Sequence, residues 1–204
     1  MIVIGLTGGI GSGKSTIAKY LKNKRIPVFD SDYEVGLLYK NKNKDLIAVI
    51  KKITDTNQII KKSKINKKLL GDIVFNNKKK LKFLEKVIFN KLDKKRKIFL
   101  KKNKNKKLVV LDAPLLFENK INKICDYVIL AKAPLKTRIR RILKRPGMTK
   151  LKAKKIISRQ MGDNKKTKLA NFIVQTSFGK WYTIKSVEKI LNKKYLKKKL
   201  NGKK

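Results

Sequence analysis

The amino-acid sequence predicts an α/β fold, a parallel sheet doubly wound by helices, and three observations carry that expectation. Five short β-branched runs are spaced along the 204 residues, each continuously apolar instead of alternating. That is the pattern of strands covered on both faces. Helical patterns lie between the runs, giving the βαβα alternation of a doubly wound sheet. A glycine-rich segment ending in Lys-Ser joins the first run to the first helical pattern, as a phosphate-binding turn requires.

In chain order, IVIGL at 2–6 is the first strand, and a helical pattern at 16–24 follows the glycine-rich turn. IPVFD at 26–30 is the second strand and LVVLD at 108–112 the third. The connection between them far exceeds the roughly two to six loop residues plus a helix of a simple crossover. Within it, Leu81, Leu84, Val87 and Ile88 repeat at helical spacing, and Leu69, Leu70, Ile73 and Val74 form a second apolar cluster. Asn66 and Asn77 are candidate N-caps. Residues 33–106 therefore read as a helical insertion. DYVILA at 126–131 is the fourth strand, with a helical pattern at 135–143 after it. The stretch 145–164 opens with the turn RPG and continues as a mostly polar helix with few core anchors, so 145–165 reads as a mobile lid. NFIVQ at 171–175 is the fifth strand, and a last helix covers 184–191. Beyond Tyr195 and Leu196 the basic tail, 196–204, is expected to fray. These expectations describe one domain with core segments 1–32, 107–144 and 166–195.

Composition narrows the partners. The chain carries 57 Lys+Arg against 13 Asp+Glu, a formal charge of +44, yet only seven of the cations are arginine. The lysines are spread over nearly every solvent-facing segment with many Asn and Ile, as A/T-rich codon drift would produce. Nucleic-acid recognition needs a basic face or stripe interleaved with aromatics, so a nucleic-acid partner is not expected. Cys125 is the single cysteine, which excludes an internal disulfide, and it reads as a small apolar residue beside the fourth strand. With no histidine a zinc site is not expected. The chain has neither a signal-peptide pattern nor an apolar run of 18 residues, so a soluble cytoplasmic protein without a membrane role is expected.

Gly8 to Ser15 reads G-x-x-x-x-G-K-S, with a strand before it and a helix after it. Glycines let successive backbone N–H groups converge on one concavity, which the helix N-terminus makes more positive. Gly9, Ile10, Gly11, Ser12, Gly13, Lys14, Ser15 and Thr16 are therefore the candidate ATP-binding residues. Lys14 would reach the β- and γ-phosphates, the Ser15 hydroxyl would coordinate Mg²⁺, and Thr16 would lie near the α-phosphate.

The scarce acids and arginines supply the other candidates. Asp30, Asp32 and Glu34 cluster at the carboxyl end of the second strand, the edge where ligands of open parallel sheets bind. A carboxylate there can take the proton of an attacking hydroxyl or cap the following helix; Asp32 is the candidate base, and Asp30 suits capping equally well. Asp112 ends the third strand, either as a Mg²⁺-supporting acid or as a polar strand end. Arg138, Arg140, Arg141 and Arg145 crowd one window. Arginine retained amid lysine drift suggests planar bidentate contacts to phosphoryl oxygens, with Arg138, Arg141 and Arg145 on one helical face, although a solvated charged face has the same spacing.

Together IGLTGGIGSGKST, VFDSDYE, LLGDIVFNN, VVLDAPLLFE and RIRRILKRPGMT followed by ISRQM closely resemble the dephospho-coenzyme A kinase family, in the family's order from residue 2 to about 175. The resemblance implies a P-loop NTPase-type fold, a doubly wound five-stranded parallel sheet with the helical insertion as substrate domain and a lid near 145–165. It further implies ATP and dephospho-CoA as substrates, Mg²⁺ as cofactor and a monomer or weak homo-oligomer. By that likeness Asp32 takes the proton of the ribose 3′-hydroxyl, and Arg141 and Arg145 contact the nucleotide phosphates. Leu70, Pro114, Leu115 and Leu116 join Asp32 at the acceptor, and Asp112 joins Ser15 at the metal. The chain departs from the family pattern at Asn66-Lys67, where Asp-Arg is common, at Phe89-Asn90, where His-Pro is common, and at Thr176, where Asn is frequent. A nucleoside or nucleoside-monophosphate kinase would share the loop and lid with a different acceptor, and a basic nucleic-acid-binding NTPase would share the loop alone.

Overall fold

The computed structural model describes residues 1–40, 44–54, 59–61 and 64–192. The tail expected at 196–204, with Tyr195, lies outside them. In chain order the elements are β1 (Ile2–Thr7), α1 (Lys14–Asn23), β2 (Val28–Asp30), α2 (Ser31–Lys40), α3 (Lys44–Ile53), β3 (Ile60–Lys61), β4 (Lys64–Ile65), α4 (Lys67–Phe75) and α5 (Lys78–Lys102). They continue with β5 (Leu108–Asp112), a 3₁₀ turn at Ile121–Ile124, β6 (Tyr127–Lys132), α6 (Leu135–Leu143), α7 (Lys150–Ser158), α8 (Asp163–Leu169), β7 (Phe172–Gln175) and α9 (Lys180–Leu191).

The five expected strands form one parallel sheet in the order β2-β5-β1-β6-β7. β1 is central, with Ile4 opposite Val110 of β5 and Gly5 opposite Val128 of β6. All six β1 residues are buried, as a strand flanked on both edges and covered on both faces should be. Ile17, Ala18 and Leu21 of α1 and Val187 and Ile190 of α9 pack with Ile4, Leu6, Val110, Ile129 and Val174 into one core. Sheet and helices are thus held by apolar burial of about 25 cal/mol per Å². This is the doubly wound α/β architecture that the apolar runs predicted.

The described residues divide into two compact units, one within 1–29 and 103–192 and the other within 30–102. The second has its own core, in which Leu38, Leu46, Ile50, Leu70, Val74, Leu84 and Leu92 are buried together. Asn66 caps α4, its side-chain oxygen accepting from Leu69 N at 3.2 Å, and Asn77 likewise accepts from Lys80 N at 3.0 Å. Lys95 and Lys91 of α5 are ion-paired with Glu34 and Asp45, each at 2.6 Å. This unit is not wholly helical, because β3 and β4 pair antiparallel with Ile60 opposite Ile65.

The strands lie within one or two residues of expectation, β2 starting at Val28 instead of Ile26, while some helices differ more. α1 begins at Lys14 and α9 at Lys180, earlier than their apolar patterns start, because their first turns expose residues such as Ser15 and Trp181. The single polar helix expected in 145–164 is instead α7 and the start of α8, interrupted at 159–162, where Arg159 ends α7 and Gly162 precedes α8. Cys125 follows the 3₁₀ turn, half-buried, with its thiol donating to the Ile121 carbonyl at 3.3 Å.

Candidate phosphate-binding site

The turn between β1 and α1 is shaped by Gly11 and Gly13, whose φ angles of 77° and 86° favour glycine. Space forbids other residues there as well. A Cβ on Gly11 would lie 2.7 Å from the Arg138 carbonyl oxygen, and one on Gly13 2.8 Å from Thr176 Oγ1.

Three successive carbonyls of this turn are captured from outside. Arg138 Nε donates to Ile10 O at 2.9 Å, Arg141 Nη1 to Gly11 O at 3.3 Å, and Thr176 Oγ1 to Ser12 O at 2.5 Å. Because a trans peptide points its N–H opposite to its C=O, the amides of Gly11 and Gly13 are turned away from those side chains. Ser12 N closes the turn on Gly9 O at 3.0 Å. The result is a preformed nest of donors at a helix N-terminus, the arrangement that binds phosphate.

Lys14 and Asp112 meet beneath the turn as a hydrogen-bonded ion pair, both side chains largely shielded from water. The carboxylate ending β5 is therefore a partner of the loop lysine and not merely a polar strand end. Arg141 also grips Thr176, through Nη2 to the carbonyl at 2.7 Å and Nη1 to Oγ1 at 3.0 Å. Arg141, Arg145, Thr176, Lys180 and Thr183 line a pocket of about 330 Å³ with Gly11, Gly13, Ser15 and Thr16. Arg145 is exposed in it, so the pocket presents cations beside the loop.

Arg138 corrects the expectation of one phosphate-directed arginine face. It is 4% exposed, ion-paired with Asp163 at 2.6 Å and bonded to Ile10, so its guanidinium braces the loop from behind. Gln160 Oε1 accepts from Ile10 N at 2.9 Å on the same side. Next to this brace, Lys166 is fully buried, donating to Pro114 O at 3.1 Å and pairing with Glu118 at 3.0 Å. The same Glu118 oxygen accepts from Met161 N at 2.8 Å.

The acids after β2 divide their work. Asp30 Oδ1 accepts from Tyr33 N at 3.0 Å and caps α2, and Glu34 pairs with Lys95. Asp32 presents an exposed side chain in the first turn of α2. Among the expected acceptor contacts, Leu115 is exposed and Pro114 half-buried, but two others are corrected. Leu70 lies inside the core of residues 30–102, and Leu116 is enclosed against Gly5, where a Cβ would come within 2.7 Å of its Cδ1. Apolar side chains so enclosed stabilise their units and offer no surface to a ligand.

Sequence reading did not find Gln160, Asp163, Glu118 or Lys166, and it treated Thr176 only as a departure from a pattern. Each acts through a partner between 25 and 164 positions away, which no local periodicity encodes.

The chain is similar to known proteins in sequence and fold. A family model described as dephospho-CoA kinase matches residues 2–180. The dephospho-CoA kinase of Bartonella quintana is 39% identical over 178 residues, covering 86% of this chain and 89% of its own. A solved protein of Thermus thermophilus superposes with a TM-score of 0.78 at 28% identity, covering 93% of this chain and 95% of that one. The dephospho-CoA kinase from Campylobacter jejuni gives 0.63 at 25% identity with the same coverage.

Proposed function

Because this chain belongs to the dephospho-CoA kinase family, we propose that its preformed turn grips ATP while Asp32 directs the ribose 3′-hydroxyl of dephospho-CoA at the γ-phosphorus. The observation that carries the reading is the capture of the Ile10, Gly11 and Ser12 carbonyls, which leaves inward amides for phosphate oxygens.

Catalysis in this reading is mostly positioning and charge neutralisation. Lys14 leaves Asp112 for the β- and γ-phosphates, and Arg145, with Arg141, offsets charge on the transferring group. Asp32 accepts the hydroxyl proton as the new O–P bond forms and the bond to the β-phosphate oxygen breaks, releasing ADP. Its position supports the role: α2 begins where β2 ends, at the carboxyl edge of a parallel strand. Leu115 and Pro114 remain the candidate acceptor contacts after β5.

Ser15 and Asp112 fit Mg²⁺. Both offer hard oxygen, and no group of three or more His, Cys, Asp or Glu able to hold a metal occurs among the described residues, so phosphate oxygens and water would complete the shell. Bound through the Ser15 hydroxyl and, by way of water, Asp112, Mg²⁺ would neutralise charge on the β- and γ-phosphates. Among the described residues no helix is long and apolar enough to cross a membrane. The reading includes a cytoplasmic enzyme acting as a monomer or weak homo-oligomer.

The test is ADP release by the purified chain with ATP and Mg²⁺, with and without dephospho-CoA, alongside nucleosides and nucleoside monophosphates. Release that depends on dephospho-CoA supports the assignment. Equal or faster release with a nucleoside or its monophosphate overturns the acceptor.

A further inference from the structure

We infer that Gln160 is a positioning residue for ATP, holding from behind the peptide that shapes the tip of the phosphate turn. Ile10 has both backbone polar groups occupied by side chains from distant segments, N–H by Gln160 Oε1 and C=O by Arg138 Nε, each at 2.9 Å. A backbone N–H can only donate, so the Gln160 atom facing it is its carbonyl oxygen.

The two bonds fix two peptide planes. In the Gly9–Ile10 peptide, Gln160 holds the N–H end while Ser12 N holds the Gly9 carbonyl end at 3.0 Å. In the Ile10–Gly11 peptide, Arg138 holds the carbonyl, which aims the Gly11 amide the other way. Glycines on both sides of Ile10 would otherwise allow these planes to rotate. The clamp removes that freedom before the nucleotide arrives, lowering the ordering cost of binding.

Gln160 can serve this purpose because its own segment is fastened. Its N–H closes the end of α7 on Ile157 O at 3.1 Å. Met161 N is held by Glu118, and Asp163 is ion-paired with Arg138, the residue that grips the other side of Ile10. Residues 160–163, at the end of the stretch read from the sequence as a mobile lid, are thus tied to α6 and to the segment after β5, and the phosphate turn leans on them.

This inference rests on the turn binding ATP, and two readouts separate it from that assignment. Gln160→Met removes the acceptor at similar length, and Gln160→Glu keeps an oxygen at the same reach. In the full chain without nucleotide, NMR hydrogen exchange of the Ile10 amide should accelerate about tenfold in the Met variant, the worth of roughly one hydrogen bond. In steady state the Met variant should raise KM for ATP about fivefold to tenfold, with kcat and KM for dephospho-CoA within about twofold. The Glu variant should restore protection and bring KM for ATP to within about threefold of wild type. Unchanged Ile10 exchange, a fall in kcat without a rise in KM for ATP, or equal rises in both KM values would overturn the inference. So would a Glu variant whose Ile10 amide exchanges about tenfold faster than wild type, a readout that decides the matter even if the Met variant unfolds. Wild-type protein that fails to use ATP defeats the functional assignment instead, whereas wild-type turnover with an unprotected Ile10 amide defeats only the clamp.

Discussion

Lys14 rests on Asp112, the ammonium that follows the last glycine of the phosphate turn lying against the carboxylate that ends β5. Under the proposed function this carboxylate holds the lysine ready for phosphate, and once released it would be available to water on a metal. Lys14→Ala should therefore lower kcat about 10²- to 10³-fold, the usual cost of one charge-stabilising donor. It should also reduce stability to urea by about 3 kcal/mol, because Asp112 loses its buried counter-charge. Steady-state ADP release and urea titration check the two effects, and a fully active, fully stable variant contradicts both.

Asp32→Asn keeps the size of the side chain and removes its basicity. Fluorescent-nucleotide displacement should show ATP affinity within about twofold of wild type, while kcat drops about 10²- to 10⁴-fold, the range for a lost general base. Unimpaired turnover would dismiss Asp32 as the base.

Thr176 is 4% exposed and joins three elements, donating to Ser12, receiving Arg141 and bonding through its backbone to Lys132. Thr176→Val preserves shape and orphans the Ser12 carbonyl, so unfolding free energy should fall by about 1–3 kcal/mol and KM for ATP should rise. Thr176→Ser should restore most of both. Thermal unfolding of the three proteins in parallel measures the difference.

Lys166→Met exchanges a fully buried ammonium for an apolar chain of similar length and leaves Glu118 without its cation. Stability should drop by about 3–5 kcal/mol, and adding Glu118→Gln should recover part of it. A double variant no more stable than Lys166→Met alone would show that the pair is not the unit.

Tyr20 donates to Glu188 at 2.9 Å, and burial first, then that bond and the nearby carboxylate charge, push its phenol from the usual 10.0 up to about 12. A raised acid in the folded chain favours the folded state fully below pH 10, and that advantage disappears as pH climbs through 10 to 12. The stability difference between wild type and Tyr20→Phe should hence be level up to about pH 9 and shrink toward pH 12. A difference that grows in that window would refute the assignment.

What the sequence made legible was whatever depended on near neighbours. The apolar runs at 2–6 and 108–112 located β1 and β5, since strands covered on both faces have no polar side to disguise them. The spacing of Gly8, Gly13 and Lys14 located the glycine turn between β1 and α1, and Asn66 and Asn77 proved to be caps. The two-residue strands β3 and β4, flanked by lysines, carry too little pattern to be seen in advance. The bracing of the turn was illegible for a different reason: Gln160 and Ile10 lie 150 positions apart, and Thr176 and Ser12 164. Arginine concentrated at 138–145 did point to that neighbourhood, but not to the inward course of Arg138.

Rooting the glycine turn on the innermost strand also sets how the enzyme fails. β1 has neighbours on both edges and no exposed residue, so its backbone can open only when the sheet itself melts. Inactivation by denaturant should then track the cooperative collapse of this unit, with no early phase in which a frayed nucleotide grip coexists with an intact scaffold.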